Sequence, residues 1–238
     1  MSYLNTKPLI YGFEKGMMIN EVELITDFPA SIADMLINDE VDIALVPIAT
    51  IPLLNEYHII TDYCIGATGE VASVCLFSDV PLTEIKTILL DYQSRSSAGL
   101  LKILLKDYWK LNVNLVNADA DYEEKILGTT AGLVIGDRAF IQRKKSKYIF
   151  DLGTAWKEMT GLSFLFAAWI ANKKLPQTFV EKFNQTTGEG LKNLTEIILA
   201  NPYIHYDLKK YYEENISFDL NEEKRKGLQE YLKRLQTL

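Results

Sequence analysis

The sequence predicts an α/β fold of two lobes, with two strand crossings between them and a central cleft. Strand-type and helix-type patterns alternate along most of the 238-residue chain, as they do in sheets covered by helices. Strand-type stretches at 57–69 and 71–79 follow each other with almost no room for a helix, and another long apolar stretch lies at 161–172. No linker composition separates the two halves, which favours a hinge made of strands over a flexible tether.

The first 50 residues predict a β-α-β order after a short N-terminal helix. Thr6 is a suitable N-cap for that helix, Pro8 fits its first turn, and Gly16 supplies its end. The elements that follow are a strand at 23–28, a helix at 29–40 and a near-continuous apolar strand at 41–49. An apolar run of this last kind is typical of a strand buried in a parallel sheet.

Residues 88–152 predict a second βαβαβ unit. Its elements are a strand at 87–91, a helix from about Ser97 to Lys110, a strand at 112–117, a helix at 121–127, a strand at 132–137 and a short strand at 148–152. From Pro176 to the C terminus the chain is expected to be helical. The last helix carries an apolar stripe of helical period, formed by Leu228, Tyr231, Leu232 and Leu235.

This order predicts crossings near 74–80 and near 163–171. Lobe 1 is then discontinuous, formed by residues 1–75 and 168–238, and lobe 2 is formed by residues 76–167. Ligands of open α/β sheets bind beyond the carboxyl ends of the strands, so two such edges are expected to face each other across the cleft.

Composition excludes several classes of function. The formal net charge is −7 and no basic block is longer than 143–145, which argues against nucleic acid as a partner. Cys64 and Cys75 fit neither a metal-knuckle nor a redox spacing and are expected to be buried thiols. No metal site, nucleotide loop or flavin signature is present, so no cofactor is predicted. Without a signal peptide or an apolar stretch of about 20 residues, a soluble, cytoplasmic protein with no membrane segment is expected.

Four polar clusters fall where loops of either lobe would line the cleft. Ser2, Asn5 and Thr6 precede the first helix, and residues 67–73 follow a strand. Residues 91–97 join a strand to a helix, and Gly136 and Asp137 end a strand. These clusters are the candidate ligand contacts.

Several of these tracts, in this order, resemble a known family. They are "SYLNTKPLIYG", "VDIALVPIATIPLL", "GEVASVCLFSDVPL", "LDYQSRSSAGLLKILL", "GLVIGDRAF" and "DLGTAWKEMTGLSFLFAAWI". Together they are similar to the chorismate dehydratases of the futalosine route to menaquinone. The resemblance implies a type II periplasmic-binding-protein fold, no cofactor, and removal of water from the small-molecule substrate chorismate to give 3-[(1-carboxyvinyl)oxy]benzoate.

The chain departs from this family pattern in two places. The family usually has a short apolar strand before the serine-tyrosine-leucine-asparagine tract, which here starts at Ser2. Either that strand lies upstream or the chain lacks it, and without it the sheet is expected to lose a strand and stability. Where the family tends toward Gly-Pro-Val-Arg-Ser, this chain has Gly-Glu-Val-Ala-Ser at 69–73, which retains Ser73 and loses the cation.

The substrate's two carboxylates require local donors in a net acidic protein. The start of the helix near Ser97 offers free N–H groups and a favourable dipole. Ser94, Ser96 and Ser97 add hydroxyls and Arg95 is the nearest cation, although Ser96 or Ser97 is equally suited to cap the helix.

Catalysis is expected to be assisted by the substrate, one of whose carboxylates takes the proton. Asn5 and Ser73 are the predicted catalytic residues, because neutral donors hold that carboxylate and stabilise developing charge. Further substrate contacts are predicted from Ser2, Thr6, Ala49, Thr50, Gly136 and Asp137. Asp137 is equally suited to fix a loop through backbone N–H groups, and Glu70 and Asp137 remain alternative bases.

Two other functions stay open at this point. A non-catalytic solute-binding protein for small anions would share the two-lobe fold, and so would the sister dihydroxynaphthoate synthase of the same route. Neither histidine, His58 or His205, lies in a matched motif, and both are expected to be structural or at the surface. The sequence does not set the oligomeric state.

Overall fold

The computed structural model describes residues 3–91 and 94–238. Its strands are β1 Ile43–Pro47, β2 His58–Ala67, β3 Val74–Ser78, β4 Thr87–Leu90, β5 Asn114–Asn117, β6 Thr130–Ile135, β7 Tyr148–Asp151, β8 Phe164–Ala171 and β9 Ser217–Asp219. Its helices are α1 Lys7–Glu14, α2 Pro29–Ile37, α3 Arg95–Ile103, α4 Asp137–Gln142, α5 Leu152–Thr160, α6 Gln177–Lys192, α7 Leu194–Ala200, α8 Leu208–Lys210 and α9 Glu222–Leu235.

The strands form two sheets, one in each lobe. The first has the order β1-β8-β2-β9, in which neighbouring strands are antiparallel. The second has the order β5-β4-β6-β3-β7, with β4 parallel to β5 and β6, and β3 antiparallel to β6 and β7. Helices cover both sheets, so the α/β fold of two lobes is confirmed.

The chain passes between the sheets through residues 68–73 and returns through residues 161–163. The predicted lobe boundaries, after residue 75 and after residue 167, fall inside β3 and β8. Because each strand pairs along its length within one sheet, we propose boundaries in the two connections instead.

Helix ends follow ordinary capping chemistry at several places. Asp151 caps α5 by accepting a hydrogen bond from the Thr154 N–H, and Asn221 caps α9 by accepting one from the Lys224 N–H. The stripe predicted for the last helix is confirmed in α9, where Leu228 and Tyr231 are buried. Cys64 and Cys75 are free and buried, as predicted, and burial raises the pKa of Cys64 to about 12.

Several local predictions are wrong. Residues 23–28 are extended but form no strand, and among the described strands β1 pairs with β8 alone. A strand needs a ladder partner, which the apolar pattern by itself does not provide. The helix predicted at 121–127 is a short 3₁₀ turn at Tyr122–Lys125. The C-terminal region is broken by a loop at 201–207 and by β9.

No helix in the described part of the chain is long and apolar enough to span a membrane.

Candidate functional site

A cavity of about 550 Å³ lies between the two lobes. Such a volume is within the range of small-molecule sites, about 300–1,000 Å³. Its polar wall at the lobe junction consists of Tyr3, Asn5, Thr6, Ser73, Ser94, Ser96, Ser97 and Gly136. Ile65, Val74, Ile135 and Phe166 add an apolar wall, and the space continues along residues 21–27 and the edge of β1.

The opening tract reaches the cavity as a single 3₁₀ turn, Leu4–Thr6, which runs directly into α1. Two contacts hold this turn. The Leu4 N–H donates to the Asp137 carboxylate at 3.2 Å, and the Tyr212 hydroxyl donates to the Leu4 carbonyl at 2.8 Å. Thr6 makes no capping bond with its side chain, so that prediction is wrong, and its hydroxyl donates to Asn5 Oδ1 at 3.3 Å.

Ser73 is presented by a strained turn in the connection between the lobes. Ala72 is buried in the left-handed region with φ of 62°, which residues other than glycine adopt at a cost. The Asp151 carboxylate stabilises the turn by accepting the N–H groups of Val71 at 3.1 Å and Ala72 at 2.8 Å. The Ser73 carbonyl accepts the Gly136 N–H at 2.8 Å, which brings the end of β6 beside the turn.

The three serines at the start of α3 have different partners. Ser94 caps the helix, because its Oγ accepts the Ser97 N–H at 3.2 Å and donates to Ser97 Oγ at 2.7 Å. The cap is therefore neither Ser96 nor Ser97. Ser96 Oγ accepts the Ala49 N–H at 3.1 Å and so ties α3 to the chain that follows β1.

Arg95, Ala49 and Thr50 lie outside the cavity wall. The Arg95 guanidinium pairs with the Asp34 carboxylate of α2 at 2.5 Å. Thr50 is fully buried, and its hydroxyl has no hydrogen-bond partner among the described residues. Of these three residues, Ala49 contacts the serine-rich turn through its backbone N–H.

At the lobe junction the cavity wall offers neutral donors for anion binding, whereas its extension carries the acidic residues Glu21, Glu23, Asp27, Glu40 and Asp42. No lysine or arginine is among the described residues that line it. Arg143 reaches the Ser73 turn from the end of α4, but there it pairs with Glu70 at 2.5 Å and donates to the Ala72 carbonyl at 3.2 Å. The first turn of α3 and the side chains of Asn5 and the serines are left to recognise negative charge. The N–H groups of Leu4, Thr6 and Lys7 before α1 are already bonded within the protein.

Asp137 lies outside the cavity wall, beside Gly136, and makes the backbone contact that its structural alternative predicts. Burial raises the pKa of its carboxyl to about 6, and the hydrogen bond from the Leu4 N–H offsets part of that rise. Its backbone carbonyl accepts the Tyr203 hydroxyl at 2.7 Å. Asp137 therefore holds the opening tract against the start of α4.

The structure brings together most of the predicted site. Asn5, Thr6, Ser73, Ser94, Ser96, Ser97 and Gly136 share the cavity wall. Ser2 lies outside the described residues. No group of three or more metal-ligating side chains occurs among the residues that the structure describes.

Sequence reasoning missed three residues that organise the site. Tyr211 and Tyr212 come from the turn after α8 and bond to Ser73 and Leu4, and Asp151 binds the strained turn. Nothing in the sequence around "KKYYEEN" indicates this role. The sequence does contain a weak indication of the position of Asp151, because an aspartate followed by a helical pattern is a typical N-cap.

Comparisons with known proteins agree with this architecture. A family model described as menaquinone biosynthesis matches residues 1–237. The chain is 26% identical to a chorismate dehydratase of Thermus thermophilus, over 98% of this chain and 92% of that protein.

Solved structures show the same fold. A protein of Archaeoglobus fulgidus superposes with a TM-score of 0.79 at 15% identity, over 99% of this chain and 94% of that one. The alkanesulfonate-binding protein of Xanthomonas axonopodis pv. citri, bound to MOPS, superposes with a TM-score of 0.65 at 10% identity, over 98% and 90% of the two chains. The fold is therefore that of two-lobe, type II periplasmic binding proteins.

Proposed function

Because the chain belongs to the menaquinone biosynthesis family, we propose that it is a chorismate dehydratase of the futalosine route, which eliminates water from chorismate. One observation carries the proposal: Asn5, Ser73 and the serine-rich start of α3 line one cavity between the lobes. The likeness to a chorismate dehydratase over nearly the whole chain supports the same substrate.

The donors in the cavity suit a substrate with two carboxylates. The first turn of α3 directs backbone N–H groups and a positive dipole end toward the cavity, and Ser94 and Ser97 stand beside them. The turn at Leu4–Thr6 brings Asn5 and Thr6 to the same space. Two carboxylates can thus be held by groups that do not titrate near neutral pH.

The reaction follows from this arrangement. One carboxylate of bound chorismate takes the proton from C3, and the electron pair of that C–H bond enters the ring and its conjugated carboxylate. The C4 hydroxyl then leaves with that proton as water, and the ring becomes aromatic. Asn5 and Ser73 stabilise the charge that builds up, because fixed donors in a site shielded from water act strongly on developing charge.

The test is to incubate the purified protein with chorismate and to follow the product by mass spectrometry and proton NMR. Loss of one water, new signals of a meta-substituted ring and an intact enolpyruvyl group are expected. Asn5→Ala and Ser73→Ala are expected to lower kcat at least about a hundredfold, as removal of a charge-stabilising donor does. Ser146→Ala is the matched control, because Ser146 bonds to Gln142 outside the cavity.

The two-lobe fold also favours one alternative, a solute-binding protein for small anions, as in the alkanesulfonate-binding neighbour. Folded protein that binds chorismate by calorimetry and leaves it unchanged would support that alternative. Turnover of a different pathway intermediate, with chorismate untouched, would support the sister dihydroxynaphthoate synthase.

A further inference from the structure

Tyr211 contacts Ser73, one of the two residues proposed to be catalytic. Its side chain is fully buried, and its hydroxyl is 2.7 Å from Ser73 Oγ. Burial raises the pKa of Tyr211, and side-chain contacts with Ser73 and with Asn5 both oppose that rise.

The contact between Tyr211 and Ser73 decides where the Ser73 hydroxyl proton can point. The Tyr211 hydroxyl donates its single proton to Ser73 Oγ at 2.7 Å. Ser73 Oγ is thereby an acceptor toward Tyr211, and its own proton is left for an acceptor in the cavity that Ser73 lines. In the turn at Leu4–Thr6, the Thr6 hydroxyl donates to Asn5 Oδ1, which orients the amide.

The phenol is held in place by its surroundings. Tyr211 begins a π-helical turn, Tyr211–Asn215, a type of turn that is frequent at functional sites. Its ring meets Phe140 edge to face with centroids 4.9 Å apart, and its backbone N–H donates to the Asp207 carbonyl at 2.9 Å. The hydroxyl therefore meets Ser73 without having to order a flexible side chain.

We propose that Tyr211 is a positioning residue, which turns the Ser73 hydroxyl proton into the cavity so that Ser73 donates to the reacting substrate. This inference rests on the proposed dehydration. Without the Tyr211 hydroxyl, Ser73 is free to rotate its proton away from the substrate. The effect belongs to the chemical step, because the ground-state contacts at the start of α3 are untouched.

The test is Tyr211→Phe, assayed by steady-state turnover of chorismate. We expect kcat to fall about tenfold to a hundredfold with KM changed less than about threefold, as when an interaction specific to the transition state is lost. Tyr206→Phe is the matched control, since Tyr206 stacks on the same Phe140 but donates to Asn215. It is expected to keep wild-type kcat.

A double-mutant cycle separates positioning from a general structural effect. In a Ser73→Ala background, Tyr211→Phe is expected to cause little further loss of kcat, because the hydroxyl it directs is gone. Equal losses with and without Ser73, or unchanged kcat in Tyr211→Phe, would overturn the inference while leaving the dehydratase intact.

A variant that does not fold and a wild type that does not turn over chorismate also have defined meanings. If Tyr211→Phe does not fold, Tyr211→4-aminophenylalanine keeps an N–H donor at the same place. That variant is expected to retain most of kcat, and a folded but inactive one would refute the role. Wild-type protein that leaves chorismate unchanged would refute the proposed function and this inference together.

Discussion

The Asp137 carboxylate is expected to make stability depend on pH. It lies at the start of α4 in the second lobe and accepts the N–H of Leu4, which belongs to the first. Burial raises its pKa from 3.8 to about 6. Asp137→Asn keeps an oxygen for the Leu4 N–H and removes the charge, so it isolates the cost of ionisation.

The magnitude follows from the shift. One pKa unit corresponds to about 1.4 kcal/mol, so the charged form of Asp137 costs the folded state on the order of 2–3 kcal/mol. Because the folded-state pKa is raised, the folded protein holds a proton that the unfolded chain has released between the two pKa values. This residue's contribution to stability is therefore fully present below the unfolded value of 3.8 and is lost as the pH rises through about 6.

The assay is urea unfolding of the wild type and Asp137→Asn at about pH 4.5 and about pH 7.5. Comparing the two proteins at each pH cancels the titration of all other groups. We expect the free energy of unfolding of the variant, relative to wild type, to rise by about 1–3 kcal/mol between the two pH values. A difference that is independent of pH, or that falls, would show that burial does not raise this pKa.

Two other substitutions test the division between catalysis and support. Glu70→Gln, like Asp137→Asn, is expected to keep turnover, because the proposed base is a substrate carboxylate; abolished turnover with unchanged affinity in either variant would refute that scheme. Ser94→Ala is expected to cost about 1 kcal/mol by removing the cap of α3 and also to raise KM. Asn221→Ala removes the cap of α9, which lies away from the cavity, and serves as the control. It is expected to lose stability in thermal unfolding as Ser94→Ala does, but to keep the wild-type KM. Equal KM values in the two variants would show that Ser94 does not belong to the site.

The elements set by local pattern were predictable from sequence. β4 and β8 lie within the strands that apolar runs predict, β6 overlaps its predicted strand but begins two residues earlier, and α9 carries its predicted stripe. The strand predicted at 23–28 was not confirmed, because a strand exists only with a partner and the pattern of one segment does not contain the partner. The serine turn was correctly placed, yet the capping residue was Ser94, since three adjacent serines are locally equivalent.

The support of the site was not predictable in the same way. Tyr211 and Ser73 are separated by 138 positions, and Leu4 and Asp137 by 133. A buried tyrosine has the same apolar signature whether its hydroxyl meets a catalytic residue or another carbonyl. Sequence patterns report which face of an element is buried, and the contacts of polar atoms within that face depend on the tertiary fold.

The absence of a cation among the described residues of the cavity wall bears on the chemistry. A lysine or arginine ion-paired to a substrate carboxylate would lower that carboxylate's pKa and make it a weaker base. Hydroxyl, amide and backbone N–H donors hold the same group while drawing less of its charge. Arg143, which contacts the Ser73 turn, and Arg95, which begins α3, are each paired with a protein carboxylate, Glu70 and Asp34 respectively. The neutral donors at the lobe junction thus suit a reaction in which the substrate serves as its own base, and the hydrogen bond from Tyr211 to Ser73 directs one such donor into the cavity.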